Sequence, residues 1–160
     1  RSAVTVLTER PARGLQAHEW IGRASPLNCT SAGRALLLGL PEAEVTALLG
    51  ADGRGADGPG GDGDGTGPLP GTEHAPRSVG AVLERLRAER ALGHVVAAEE
   101  YEPGLVAVAA PVHDHRGAVA AAVNVSAPVF RLPAEALPRV TEAVTEAARG
   151  LSAALNGAQP

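Results

Sequence analysis

The sequence predicts an α+β domain in which an antiparallel sheet carries helices packed on its faces. Two observations predict it. Residues 95–128 read as strand, turn, strand, tight turn, strand. The segments before and after them carry apolar residues at three- and four-residue steps, the spacing of a helix with one buried face. The full order is strand, strand, helix, helix, loop, helix, three strands, helix.

Each element has a local reason. Residues 2–8 are rich in β-branched side chains and read as a strand; Pro11 and Gly14 punctuate a turn, and residues 15–21, with Trp20, read as a second strand. Thr30 or Ser31 can cap a helix seen over residues 34–38. Pro41 opens the next helix, with Glu42 and Glu44 at its positive end, a stripe of Val45, Leu48 and Leu49, and Gly50 as its stop. Residues 51–71 are so rich in Gly and Asp that they predict a mobile insert. Asp62 and Asp64 faintly suggest a calcium loop, but the bidentate glutamate is missing. Ser78 caps a helix whose stripe is Val79, Val82, Leu83 and Leu86, with Gly93 as its stop.

Residues 105–112 are apolar on both faces, as in a buried strand. Gly117 suits the hairpin turn that follows. In residues 118–126, period-two alternation assigns Val119, Ala121, Val123 and Val125 to a core face, and Ala120, Ala122, Asn124 and Ser126 to the other. The last helix runs over 134–156 with a stripe of Leu137, Val140, Val144, Ala147, Leu151 and Leu155. It must start or kink at Pro138.

Composition narrows the function. The 160 residues are 44% hydrophobic but 2% aromatic, so one core of Ala, Val and Leu is expected. Every basic residue is arginine, and the net charge of -4 argues against this segment itself holding DNA. One cysteine excludes an internal disulfide framework and a Cys-rich zinc site. No run approaches the ~18 apolar residues of a membrane span, and no signal peptide is seen, which makes the cytoplasm the expected compartment. The chain starts at Arg1 within an apolar segment, as a piece of something longer would.

Candidate chemistry is sparse. Cys29 precedes a helix, where a thiol pKa can fall, but no histidine neighbours it in sequence. An enzyme using Cys29 or Ser31 therefore has no visible base and is not expected. Glu99 and Glu100, adjacent on a strand, point to opposite faces and form no catalytic pair. His113 and His115 flank Asp114 in a turn and read as solvated. The small-residue face ending in Asn124 and Ser126 either is wetted, which spacing alone favours, or encloses a ligand.

Two blocks change that balance. Glu100, Gly104-Leu105, Ala109-Ala110-Pro111-Val112 and Asn124-Val125-Ser126-Ala127-Pro128 form one. The other is residues 22–41, GRASPLNCTSAGRALLLGLP. Taken in chain order, residues 22–41 first, they resemble the C-terminal effector-binding domain of IclR-type transcriptional regulators. The likeness spans nearly the whole chain outside the Gly-rich insert. It implies a GAF-like single domain over residues 1–160, with a winged helix-turn-helix outside this chain through which alone DNA would be bound. It implies a homodimer or tetramer and no membrane, cofactor, metal or catalytic residue. It also implies a small organic effector, a carboxylic acid being the expected class, in a pocket at Ser31, Ala32, Ala97, Ala107, Asn124 and Ser126. Relatives often carry Asp and Cys where this chain has Ala97 and Ala107, Ser in place of Asn124, and His in place of Asn28. Those departures imply a less polar or larger effector, or a vestigial pocket in a purely structural dimerisation domain.

Overall fold

A computed structural model describes residues 2–9, 21–52 and 67–157. A central antiparallel sheet has the order β3–β4–β5, formed by Val95–Ala98, Leu105–His113 and Val119–Pro128. A separate two-stranded ladder joins β1, Ala3–Val4, to β2, Ala24–Ser25. The long strand expected over 2–8 thus shrinks to two paired residues, with Val6 and Leu7 exposed. Most of the strand expected at 15–21, and Trp20 with it, lies outside the described residues.

One side of the sheet is covered by α1, Ser31–Leu37, behind which stand α2, Glu42–Asp52, and α3, Val79–Leu92. Ala35 of α1 packs on Val95 and Ala109. Leu37, Val45, Leu49, Leu69, Val82 and Leu86 close the core among the three helices. The other side carries α4, Leu137–Gly157, whose Val144 and Ala148 pack on Val106, Val108, Ala110 and Val112. The result is three layers: helices, sheet, helix.

The caps explain the element ends. Thr30 is the N-cap of α1 and its hydroxyl accepts from Gly33 N–H at 3.1 Å. Ser78 does the same for α3 through Ala81 N–H at 3.2 Å, and Gly93, at φ 72°, ends that helix. Pro41 accepts from Glu44 and Val45 N–H, so α2 starts where expected, but it runs through Gly50 to Asp52. Pro138 sits in the first turn of α4, behind a 3-10 turn at Ala134–Ala136, so its missing N–H removes no helical bond. Beyond Ala148 the expected stripe is no longer covered: Leu151 and Leu155 are each 50% exposed.

Period two fails once in β5. A bulge between Val112 and His113 pairs Ala121 with Val112 and Val119 with His113. Val119 therefore turns to the α1 side, where its Cγ2 lies against Gly39, while Val123 packs on the α4 side. Grouping Val119 with Val123 and Val125 is corrected by that extra residue. Val125 does share the face of Val123, but β5 is the edge of the sheet among the described residues, and Val125 is 41% exposed.

Both ends of the insert expected over 51–71 belong instead to the ordered fold. Ala51 and Asp52 belong to α2, and Leu69 is buried in the core. Residues 53–66 lie outside the described residues.

Candidate functional site

Cross-strand register decides which side chains share a face. Ala97 pairs with Ala107, and Ala107 with Ser126; Val95 pairs with Ala109, and Ala109 with Asn124. All six lie on the side covered by α1. The direction of α1 follows from its ends. Arg34 donates to Val96 O, beside Ala97, whereas Gly39, just past the helix, meets Val119 at the far end of the sheet. Ser31 and Ala32 thus lie toward the Ala97–Ala107–Ser126 row, and Ala97, Ala107, Asn124 and Ser126 share the sheet face that α1 covers.

That surface has a closed end and an open one. Ser31, Ala97 and Ala107 are buried, with Ala32 half-buried. Asn124 and Ser126, on the edge strand, are exposed, and Asn124 Nδ2 donates to Ser126 Oγ at 3.1 Å. They satisfy each other in contact with water, as the wetted-face alternative expects. The helix that carries Ser31 is two turns long, and Thr30 already engages the Gly33 N–H. Little macrodipole is left to attract an anion.

The dominant electrostatic feature lies directly behind this surface. Arg34, one turn into α1, is fully buried. Its Nε donates to both Glu89 carboxylate oxygens at 2.9 and 3.1 Å. Nη1 donates to Asn28 O at 2.9 Å and to Glu100 Oε2; Nη2 donates to Val96 O at 3.1 Å and Glu100 Oε1 at 3.3 Å. All five guanidinium N–H groups therefore have acceptors. Arg85 Nη1 adds a second cation to Glu100 at 3.2 Å. Glu89 has only Arg34, and burial pushes its acid up to about 7 against the pull of that guanidinium. From the next position of α3, Arg90 donates to Leu38 O and Leu40 O, securing the chain beyond α1.

Glu100 reaches this network because β3 ends at Ala98 and Glu99 takes φ 55°. The strand alternation expected for Glu99 and Glu100 therefore does not apply. They still form no pair: Glu99 accepts from Gly104 N–H at 2.9 Å, while Glu100 turns inward. Neither Glu89 nor Arg34 was among the expected site residues. Their signal was present: an arginine directly before the apolar run ALLL, in a short helix, needs a buried carboxylate once that helix is buried.

Residues 69–77 form a strap across the same end. Asn28 Nδ2 donates to Pro70 O at 2.7 Å and Pro76 O at 3.1 Å, and Thr72 N–H donates to Glu100 O at 2.9 Å. Gly71, at φ +123°, is required there, because a Cβ would sit 2.5 Å from Ala75 Cβ and 2.9 Å from Cys29 Cβ. Cys29 is completely buried beneath the strap, and desolvation pushes its thiol up to about 11. A neutral thiol sealed from water is not a nucleophile.

In the β4–β5 turn, Asp114 Oδ1 accepts from Arg116 and Ala118 N–H, which holds its carboxyl below the usual range. His113 N–H donates to Ser152 Oγ at 2.9 Å. No group of His, Cys, Asp or Glu among the described residues is arranged to hold a metal ion. Nor is any helix among them long and apolar enough to cross a membrane. A cavity of about 290 Å³ lies on the opposite face of the sheet, against α4, lined by Val123, Val125, Val140 and Ala147 among others. A second, of about 430 Å³, lies between the strap and α3, lined by Ala75, Pro76, Ala81, Glu84, Arg85 and Ala88.

Comparison with known proteins agrees with this geometry. The family described as bacterial transcriptional regulator IclR C-terminal matches residues 70–153. The HTH-type transcriptional repressor AllR of Klebsiella pneumoniae is 34% identical over 136 residues, 84% of this chain and 44% of AllR. The HTH-type transcriptional regulator BhcR of Paracoccus denitrificans is 42% identical over 72 residues, 45% of this chain and 26% of BhcR. Among solved structures, the C-terminal domain of the E. coli regulator KdgR superposes with a TM-score of 0.69 at 32% identity, covering 84% of this chain and 74% of that one. The chain spans less than half the length of these two curated relatives. As expected for a non-enzyme, the AllR proteins it matches are transcriptional repressors. With the three-layer α+β fold and the matched family segment together, this chain belongs to the bacterial IclR transcriptional regulators and carries their C-terminal domain.

Proposed function

We propose that this chain is the domain through which an IclR-type regulator senses a small organic effector and oligomerises, as a homodimer or tetramer. A winged helix-turn-helix outside this chain would bind DNA, and the regulator would work in the cytoplasm. The effector is a small organic acid with a compact apolar body. It lies along the surface of Ser31, Ala32, Ala97, Ala107, Asn124 and Ser126. The observation that carries this reading is the register: Ala97, Ala107 and Ser126 form one row across three strands on the side covered by α1. The two alanines give the row short side chains, and the Ser31, Asn124 and Ser126 side chains would supply hydrogen bonds that fix orientation. Effector binding alters DNA affinity only by favouring one of two arrangements of the oligomer.

A second reading, a dimerisation domain with a vestigial pocket, is favoured by the exposure of Asn124 and Ser126. A thermal-shift screen of small carboxylates and aromatic acids separates the two, because a ligand that prefers the folded state raises its melting temperature. The sensor gives saturable stabilisation that disappears in a correctly folded Ser126→Trp variant. Absence of any hit supports the dimerisation reading, and turnover of a screened compound would overturn both.

A further inference from the structure

The cavity of about 290 Å³ beside α4 has Val123 and Val125 of β5 for its floor and Arg139, Val140, Ala143 and Ala147 of α4 for its wall. β5 borders it as the edge of the sheet among the described residues. An edge strand presents unpaired N–H and C=O groups, and proteins that stay monomeric blunt it with charge, proline or a bulge. No residue from Ala118 to Phe130 is charged, and the one proline among them, Pro128, ends the strand. The bulge falls at Ala120, so residues 121–127 pair regularly with β4. An unguarded edge beside an apolar groove is the pattern of a surface that pairs with a partner. Charge indicates which partner. Arg139 and Glu146 stand about two turns apart on the same flank of α4, both exposed, and neither has an ion-pair partner among the described residues. A flank positive at one end and negative at the other complements an identical flank turned through half a circle.

We propose that β5 and this flank of α4 form the contact with a second copy of this chain. β5 pairs antiparallel with its counterpart about a two-fold axis, and Arg139 of each copy meets the partner's Glu146. Strand and helix place that axis consistently. It crosses β5 at Asn124, between the floor residues Val123 and Val125, and α4 near Ala143, midway between Arg139 and Glu146. Ala143 and Ala147, exposed and short, let the two helices approach. The axis stands normal to the sheet, so both α4 helices lie on one face of a continuous sheet. Asn124 and Ser126 of both copies come together on the other face, and the partner thus contributes to the surface proposed for the effector. This contact gives the oligomer of that reading its location, rests on that part of it, and needs no effector.

The test uses the complete chain. Sedimentation equilibrium follows self-association, and hydrogen exchange of the residue 121–127 amides is compared above and below the dissociation constant. The chain should self-associate, with β5 protection rising with concentration. Arg139→Glu or Glu146→Arg should each weaken association by roughly ten-fold or more, since either one sets like charges together on both sides of the axis. Arg139→Glu combined with Glu146→Arg should restore it. Val125→Arg, with its far-ultraviolet dichroism unchanged, should sediment as a monomer. Association unmoved by these variants would place the oligomer contact elsewhere, overturning this interface and leaving the oligomer reading intact. A double exchange no tighter than either single one would overturn it too. A monomer at every concentration would overturn both, with β5 protected if another segment of the same chain covers the edge and unprotected if nothing does. The unaltered chain and the exchanges at exposed Arg139 and Glu146 decide the matter even if Val125→Arg does not fold.

Discussion

The two ends of the surface under α1 solve the problem of polar groups in opposite ways. At the strap end, Arg34, Glu89, Glu100 and Asn28 are each buried to 95% or more, and no buried side-chain polar atom among the described residues lacks a partner. At the edge-strand end, Asn124 and Ser126 are exposed and bond to each other. Buried polar networks carry large penalties for partial loss, whereas exposed pairs exchange readily with water. The first end is therefore built for fixed geometry and the second for exchange of partners, the property a reversible binding surface needs.

Substitutions break this contrast most severely at the strap end. Arg34→Ala strands Glu89 and leaves Glu100 with Arg85 alone, and should lower unfolding free energy by about 3–5 kcal/mol in urea denaturation. A loss under 1 kcal/mol would mean that the network is no firmer than the open end. The next effect is a pH dependence. Burial raises Glu89 from its ordinary 4.5 to about 7, so the folded chain keeps a proton that the unfolded chain releases. This contribution is complete below about pH 4.5 and is lost as pH rises through about 7, with a span on the order of 3 kcal/mol. Denaturation midpoints at several pH values should show that decline, and Glu89→Gln should remove it.

Smaller losses follow toward the surface. Gly71→Ala, at φ +123° with no room for a Cβ, should cost about 2 kcal/mol and expose Cys29 to a thiol reagent that the unaltered fold resists. Equal labelling rates in both proteins would show that the strap does not seal the site. Asn124→Ala should change stability by less than about 0.5 kcal/mol by calorimetry, and a larger loss would mean that the open end is structural after all.

Much of the architecture was legible in the sequence because local signals and tertiary packing agree. Thr30, Ser78, Gly93 and Pro138 set helix ends by chemistry that acts within one turn. The strands around Val108 were visible as an apolar run. The failures are long-range. The bulge opposite Val112 reverses Val119, and nothing in residues 118–126 alone announces that extra residue. Arg34, Glu89 and Glu100 are far apart in the chain, and only the folded sheet and helices bring them together. Ala97, Ala107, Asn124 and Ser126 share one sheet face because period two holds along these stretches of the strands. Their unequal exposure was not legible, since it depends on where each strand lies in the sheet, and β5 is at the edge among the described residues.

The strap also has a consequence for how the chain can vary. Its attachment at Asn28 and Thr72 fixes where the polypeptide re-enters the core at Leu69, just as α2 fixes where it leaves. With both anchor points held independently, lengthening the connection between them need disturb neither. Insertions and deletions between α2 and the strap should therefore be among the most freely tolerated changes in this chain.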